Sequence, residues 1–274
     1  MAPAGQNSVA LTIAGSDCSA GAGLQADLKT FSALGVYGLT AVTCVVAEVP
    51  GKVSRIDGVA VANVREQIEL CLANFPVGAV KTGLLFSTEI VQLVAEIFED
   101  RAAQKIPLVV DPVMIATSGD RLLQPAAVEA YRTRLFALAT VVTPNMAEAA
   151  ALTNLPVTNL AEMREAGKIL QAKHRVPFLI KGGHLGGDRA VDLLFDGDRV
   201  EEFAAPLVSG VSTHGTGCTY SAAIAAGLAR GASLGEAIAR GKEFVSRAIA
   251  EHFTWRNSSG EIHALRSSRE GDRA

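Results

Sequence analysis

The sequence predicts a three-layer α/β/α domain with a mostly parallel central sheet and helices on both faces. Three observations carry that prediction. Short apolar or β-branched runs alternate almost throughout with segments of helical period, the pattern left by strand–helix–strand crossovers. Some of those runs, such as Val9–Ala14 and Pro107–Asp111, are apolar without alternation, as strands buried on both faces are. Polar clusters follow the strands at Gly15–Gly23, Glu48, Asp111–Asp120, Thr143–Glu148 and Lys181–His184. Ligands in such sheets bind beyond the carboxyl ends of the strands, so these clusters should converge.

Taken in order, Val9–Ala14 is the first strand, and Leu24–Leu34 is a helix with Leu24, Leu28, Phe31 and Leu34 on one face, ended by Gly35. Leu39–Val46 is the second strand, and Lys52–Ile56 follows the turn at Pro50-Gly51 as a flap strand. Val61–Asn74 has helical spacing, Ala79–Lys81 is a short strand, and Thr88–Arg101 is a helix through Val91, Val94 and Phe98. Pro107–Asp111 is a strand; a loop without apolar period, Ala116–Pro125, separates it from a helix at Ala126–Leu138. Thr140–Thr143 is a strand closed by Pro144, and Asn145 caps a helix running to Leu152. Leu160–His174 is amphipathic, Phe178–Lys181 is a strand, and Ala190–Phe195 with Arg199–Phe203 form a hairpin about Asp196-Gly197-Asp198. A small-residue helix begins near Cys218, and Leu234–His252 closes the domain. Residues 1–253 thus read as a single domain, with Thr254–Ala274 as a polar, frayed tail.

Composition narrows the function. The 274 residues are 49% hydrophobic and 19% charged, enough for one large core made mostly of aliphatic side chains. A net charge of −3 makes no case for nucleic acid or for an acidic membrane surface as partner. Met1–Ser8 carries no Lys or Arg, and Val9–Ala14 is too short for a signal or a span, so a cytoplasmic protein is expected. Four cysteines lie far apart without a CxxC pair, and five histidines are scattered without ligand spacing, so neither a disulfide framework nor a zinc site is expected.

The stretch richest in chemistry is Ser212-Thr213-His214-Gly215-Thr216-Gly217-Cys218-Thr219. Two glycines free the backbone to turn successive N–H groups inward, and the helix that follows adds unpaired N–H groups and a partial positive charge. Together they predict an anion seat, most often for phosphate. Cys218, in the first helical turn, is expected to have a lowered thiol pKa. A second glycine pattern, Gly21-Ala22-Gly23-Leu24-Gln25-Ala26 with Glu48 some twenty residues on, fits a dinucleotide fingerprint and keeps an NAD-dependent oxidoreductase as a rival. That rival gives Thr213–Cys218 and Lys181–Gly183 no task. No GxxxxGK[ST] run is present.

Five motifs in order resemble the hydroxymethylpyrimidine/phosphomethylpyrimidine kinases, members of the ribokinase-like group of vitamin kinases. They are Leu11–Asp17 with Gly21–Thr30, Asp111–Met114 with Ser118-Gly119-Asp120, Thr143-Pro144-Asn145 with Glu148, Lys181–His184, and Thr213–Thr219. The likeness covers roughly residues 9–253. It implies a ribokinase-like fold and Mg²⁺-dependent transfer of the ATP γ-phosphoryl group to a pyrimidine alcohol in thiamine synthesis, then to its monophosphate. It also implies a homodimer.

Carried over residue by residue, the likeness implies that Gly215, Thr216 and Gly217 grip the migrating phosphoryl group by backbone N–H and that Cys218 takes the acceptor proton or orients the hydroxyl. Lys181 serves the ATP phosphates, with Asn145 and Thr213 also on the nucleotide side; Glu148 and Asp111 hold the magnesium shell. Asp27, Glu48, Gly15, Ala22, Leu84 and Val113 surround the acceptor ring, and Ser118-Gly119-Asp120 belongs to a lid. In two places the chain departs from the family. The family has Gln then Asn-Thr where this chain has Glu48-Val49-Pro50, and its His-Gly-rich C-terminal end is missing. An ionised Glu only accepts hydrogen bonds, so ring identity stays open, with pyridoxal kinase as the alternative on the same scaffold.

Overall fold

A computed structural model describes residues 8–101, 104–114, 123–183, 185, 187–211, 214–257 and 260–268. The lid residues Ser118-Gly119-Asp120, together with His184, Ser212 and Thr213, lie outside them.

Nine strands form one sheet: β1 (Val9–Asp17), β2 (Tyr37–Val49), β3 (Lys52–Gly58), β4 (Val77–Thr82), β5 (Leu108–Val110), β6 (Val141–Val142), β7 (Phe178–Gly182), β8 (Arg189–Asp196) and β9 (Arg199–Pro206). Their order is β3-β2-β1-β4-β5-β6-β7-β8-β9. β2, β1, β4, β5, β6 and β7 run parallel, while β3, β8 and β9 join antiparallel at the two edges. The helices are α1 (Gly23–Ala33), α2 (Val61–Asn74), α3 (Thr88–Asp100), α4 (Pro125–Ala130), α5 (Met146–Thr153), α6 (Leu160–His174), α7 (Thr216–Ala229) and α8 (Leu234–Ala250).

Strand alternation divides the apolar residues between two cores, because successive side chains leave a strand on opposite faces. Leu11 and Ile13 of β1, Leu108 and Val110 of β5 and Phe178 and Ile180 of β7 pack with α2 through α6. Ala10, Val109 and Leu179, from the same strands, pack with α1, α7 and α8. The predicted three layers are therefore present. The small residues of α7, Ala222 through Ala226, are buried against the sheet, which lets that helix lie close to it.

Several predicted boundaries move. β1 continues past its apolar run to Asp17, because parallel pairing with β2 resumes after a register shift between Ala14 and Ser16, and β2 continues to Val49 through antiparallel pairing with β3. The helix expected at Ala126–Leu138 is broken up: α4 gives way to a π-helical turn, Tyr131–Leu135, and a 3-10 turn, Phe136–Leu138. The wider turn lets Tyr131, Leu135 and Phe136 all reach zero exposure. The segment expected as a frayed tail instead contains an antiparallel hairpin, β10 (Phe253–Asn257) with β11 (Gly260–Ala264). The Arg266 guanidinium lies 4.5 Å from the Phe253 ring and the Arg266 N–H bonds the Ala248 carbonyl, tying the hairpin back to α8. No helix among the described residues is long and apolar enough to cross a membrane.

Candidate active site

At the carboxyl ends of β1, β4, β5, β6 and β7 lies a cleft of about 700 Å³. The strand order reverses beside it, since β2 and β4 flank β1, and such a reversal opens a crevice between crossovers leaving in opposite directions. Of the residues the sequence nominates, Gly15, Ala22, Glu48, Leu84, Val113, Asp111, Asn145, Glu148, Lys181, Gly215, Thr216, Gly217 and Cys218 line it. Asp27 does not, and Thr213 lies outside the described residues.

Two helix N-termini meet at Cys218. It is the third residue of α7, and the N–H of Gly23, the first residue of α1, donates to its sulfur. Gly215 caps α7 at φ 79°, a conformation that favours glycine, and a Cβ there would collide with the Gly21 carbonyl. At Gly217 an added Cβ would stand 3.1 Å from Lys181 Nζ. Close approach thus requires glycine at 215, while at 217 a side chain would press on the lysine ammonium.

Burial pushes the Cys218 thiol up to about 11; Asp27 and Asp111 push the same way, while Lys81 and the Gly23 N–H pull down. The expectation of a lowered thiol pKa is corrected. The helix N-terminus is present, but desolvation of the thiolate outweighs it.

Three lysines in the cleft wall are each bound to an aspartate. Lys181 Nζ lies 2.9 Å from Asp111, whose other oxygen accepts from Ser221 Oγ at 2.9 Å. Lys242, from α8, lies 2.6 Å from Asp192 of β8, which also accepts the Gly182 N–H at 3.0 Å. Lys81, on β4, is fully buried and bonds both oxygens of Asp27 at 3.0 and 2.8 Å; Thr12 Oγ1 adds a 2.5 Å bond to Asp27. Although burial disfavours the charge, Asp27 holds the Lys81 pKa above its ordinary value. Asp27, expected to touch the acceptor, stands behind Lys81 with both oxygens engaged.

Asn145 and Glu148 form a capping box on α5: Asn145 Oδ1 accepts the Glu148 N–H and Glu148 Oε2 accepts the Asn145 N–H. Glu148 Oε1 accepts from Met114 N–H at 3.1 Å, tying β5's exit to α5. Burial raises its pKa to about 7, with Lys181 lowering it and Asp111 raising it. Val113, on that exit, has φ 42°; a β-branched residue there costs about 1–3 kcal/mol and such strain gathers at functional sites.

At the other end, Asp17, Glu48 and His214 bring one ligand atom each within 4.8 Å of one another, which the scattered histidines gave no hint of. His214 Nε2 lies 3.1 Å from Asp17 Oδ2, and Asp17 also accepts the Ser19 and Ala22 N–H groups at 2.7 Å. Burial alone would raise the Asp17 pKa, but these bonds bring it to about 2. Glu48 is shifted the opposite way, raised by burial and by Asp17 and lowered only by His214.

Sequence reasoning missed Lys81, Lys242, Asp192 and Asp17. The signal for two of them was legible: a Lys in the apolar run Ala79–Lys81, and a Lys midway between Ile238 and Val245 on the apolar face of α8. A cation in either place needs a buried partner.

The sequence pattern of phosphomethylpyrimidine kinase matches residues 17–263. The chain belongs to that family. It is a phosphotransferase, and the oxidoreductase alternative falls. A hydroxymethylpyrimidine/phosphomethylpyrimidine kinase of Rhizobium meliloti is 43% identical over 261 residues, covering 93% of this chain and 96% of the relative. The thiamine biosynthesis bifunctional protein ThiED of Geobacter sulfurreducens is 45% identical over 240 residues; they make up 87% of this chain but only 48% of that longer protein. Among solved structures, a pyridoxal kinase of Staphylococcus aureus in complex with ADP is 36% identical with TM-score 0.87, covering 98% of this chain and 96% of that one.

Proposed function

We propose that this chain transfers the γ-phosphoryl group of ATP to the hydroxymethyl group of 4-amino-5-hydroxymethyl-2-methylpyrimidine, and then to the resulting monophosphate, in thiamine synthesis. The observation that carries the reading is the meeting of the α1 and α7 N-termini at Cys218, in a cleft that Lys81 and Lys181 also line. Backbone N–H groups of Gly215–Gly217 grip the migrating phosphoryl oxygens, where a helix N-terminus and Lys181 offset the charge. The acceptor oxygen forms a bond to the γ-phosphorus as the bond to the β–γ bridging oxygen breaks and ADP leaves. Cys218 orients the acceptor hydroxyl, and its sulfur takes the acceptor proton only in the thiolate form.

The ring sits between Leu84 and Val113, near Gly15 and Ala22, with Glu48 at its edge. Asn145 and Thr213 serve the nucleotide. Asp111 and Glu148 suit a hydrated Mg²⁺: their oxygens each already accept a hydrogen bond, which leaves lone pairs for metal-bound water rather than an open bidentate seat. When bound, the ion neutralises phosphate charge. The same reading places the protein in the cytoplasm as a homodimer, and exposed Val45 and Val49 on β2 offer an apolar face for a second copy.

Pyridoxal kinase activity is the second reading, favoured by Glu48. Ionised, Glu48 supplies no donor to a ring nitrogen where the family's Gln has one. The test is ATP-dependent phosphorylation of a panel of pyrimidine and pyridine alcohols and their monophosphates, followed by mass. Turnover of the pyrimidine alcohol at least tenfold above pyridoxal supports the first reading. The reverse ratio replaces it with the second, and no turnover of any ring alcohol removes both.

A further inference from the structure

His214 has no task in the reaction as drawn, yet it lines the cleft and stands directly before Gly215, where the phosphate seat begins. Its Nε2 lies 3.1 Å from Asp17 Oδ2, at the end of β1. Asp17 is a fixed post, 1% exposed. Its N–H donates to Gln25 Oε1 of α1 at 2.9 Å; its Oδ1 accepts the Ser19 N–H and its Oδ2 the Ala22 N–H, each at 2.7 Å. Those bonds already close the turn from Asp17 to Ala22, and the imidazole serves something beyond it. An ionised carboxylate only accepts, so Nε2 carries the proton of the bond. Beside that bond the two loops meet closely. An added Cβ at Gly21 would stand 2.8 Å from His214 Cδ2, and one at Gly215 would collide with the Gly21 carbonyl. On its helix side the seat is fixed, because the Thr219 N–H donates to the Gly215 carbonyl at 2.9 Å. On its loop side the tie is the His214 side chain.

We propose that His214, held by Asp17, clasps the phosphate loop to the acceptor side of the cleft and so sets where the Gly215–Gly217 amides meet the γ-phosphate. This rests on the kinase reading given above. His214 acts through the backbone of Gly215 and is a positioning residue. The Ala22 N–H shares Asp17 Oδ2 with it, and Ala22 lines the cleft on the acceptor side. One carboxylate oxygen therefore holds both the residue that leads into the phosphate seat and the loop that faces the acceptor. ADP has no γ-phosphate, and its binding does not call on the clasp.

The test is calorimetry of the full chain with ADP and with the non-hydrolysable β,γ-methylene analogue of ATP, both with Mg²⁺. Three variants are compared with wild type. His214→Phe keeps a ring over Gly21 and removes the N–H. His214→Ala removes both, so that a clash in the first variant does not decide the result. His214→Gln loses the ring and keeps an N–H donor at similar reach. In His214→Phe and His214→Ala the preference for the analogue over ADP should fall about tenfold, the scale of one hydrogen bond to a charged group, with ADP affinity within about twofold of wild type. Their kcat should fall about tenfold or more while the KM for the acceptor holds, because a misplacement of about 1 Å costs up to about a hundredfold. His214→Gln should recover both quantities to within about threefold of wild type. An unchanged preference for the analogue in both His214→Phe and His214→Ala, with ADP binding intact, overturns the proposal. So does a loss in His214→Gln equal to that in His214→Ala, which would make the ring, and not its bond to Asp17, the part required. The nucleotide result stands even if no ring alcohol is turned over, so it fails separately from the kinase reading.

Discussion

The phosphate end of the cleft is made of local structure, and the acceptor end is made of long-range pairs. At the phosphate end, Gly215 caps α7, Asn145 and Glu148 cap α5 three residues apart, and Lys181 closes β7. At the acceptor end, Asp17 meets His214 across 197 residues of sequence, and Asp27 meets Lys81 across 54. The first end presents backbone N–H groups and a paired lysine, which suit a fixed charge. The second presents carboxylates, an imidazole and a thiol, whose charges depend on one another. In the proposed reaction, binding ATP draws on the first, and choosing and activating an acceptor on the second.

The difference can be broken most sharply at Cys218, where the ends join. Cys218→Ala should lower kcat about a hundredfold or more, the range for losing a positioned proton acceptor. ADP affinity, measured by calorimetry, should stay within about twofold. Lost nucleotide binding would mean that the two ends are not separable.

The next effect falls on the phosphate end. Asp111→Asn leaves Lys181 buried without its ion pair and should cost about 3 kcal/mol in urea unfolding. It should also weaken ATP binding. A change below about 1 kcal/mol would show that Glu148 can hold Lys181 without Asp111.

A smaller effect belongs to Asp17. Its pKa is lowered from 3.8 to about 2, so the folded state holds its proton less tightly than the unfolded chain. That contribution is complete above about pH 4 and is lost as pH falls from there toward 2, amounting to about 2 kcal/mol. Asp17→Asn should flatten this part of the acid unfolding curve. An unchanged slope would deny the Asp17–His214 bond its role.

Glu48→Gln is the mildest change and sharpens the comparison most finely. It should shift the ratio of kcat/KM for the pyrimidine alcohol over pyridoxal about tenfold toward the pyrimidine, with the KM for ATP unmoved, because an amide donates as well as accepts. An unmoved ratio would take Glu48 out of ring selection.

The same division explains what could be read from the sequence. The alternation of strands and helices was legible, and α2 and α6 have the predicted bounds. So were the caps, glycines and helix start about Asn145 and Gly215, which lie within a few residues of one another along the chain. Lys81 and Asp27 were each visible as polar residues out of place, but only the β1–β4 pairing brings them together. The Cys218 pKa could not be read because burial depends on the whole cleft. The hairpin at Phe253–Ala264 escaped because its residues are mostly polar and exposed, and its anchor, Arg266 on Phe253, lies outside the strands.

The central claim is that one cleft holds phosphate at Gly215–Gly217 and the acceptor on the far side of Cys218. A crystal structure with a non-hydrolysable ATP analogue and the pyrimidine alcohol tests it most directly. The account predicts the γ-phosphate within hydrogen-bond distance of the Gly215–Gly217 amides and the acceptor hydroxyl between Cys218 and the γ-phosphorus. A triphosphate lying beside Gly21–Gly23, away from the sulfur, would contradict it.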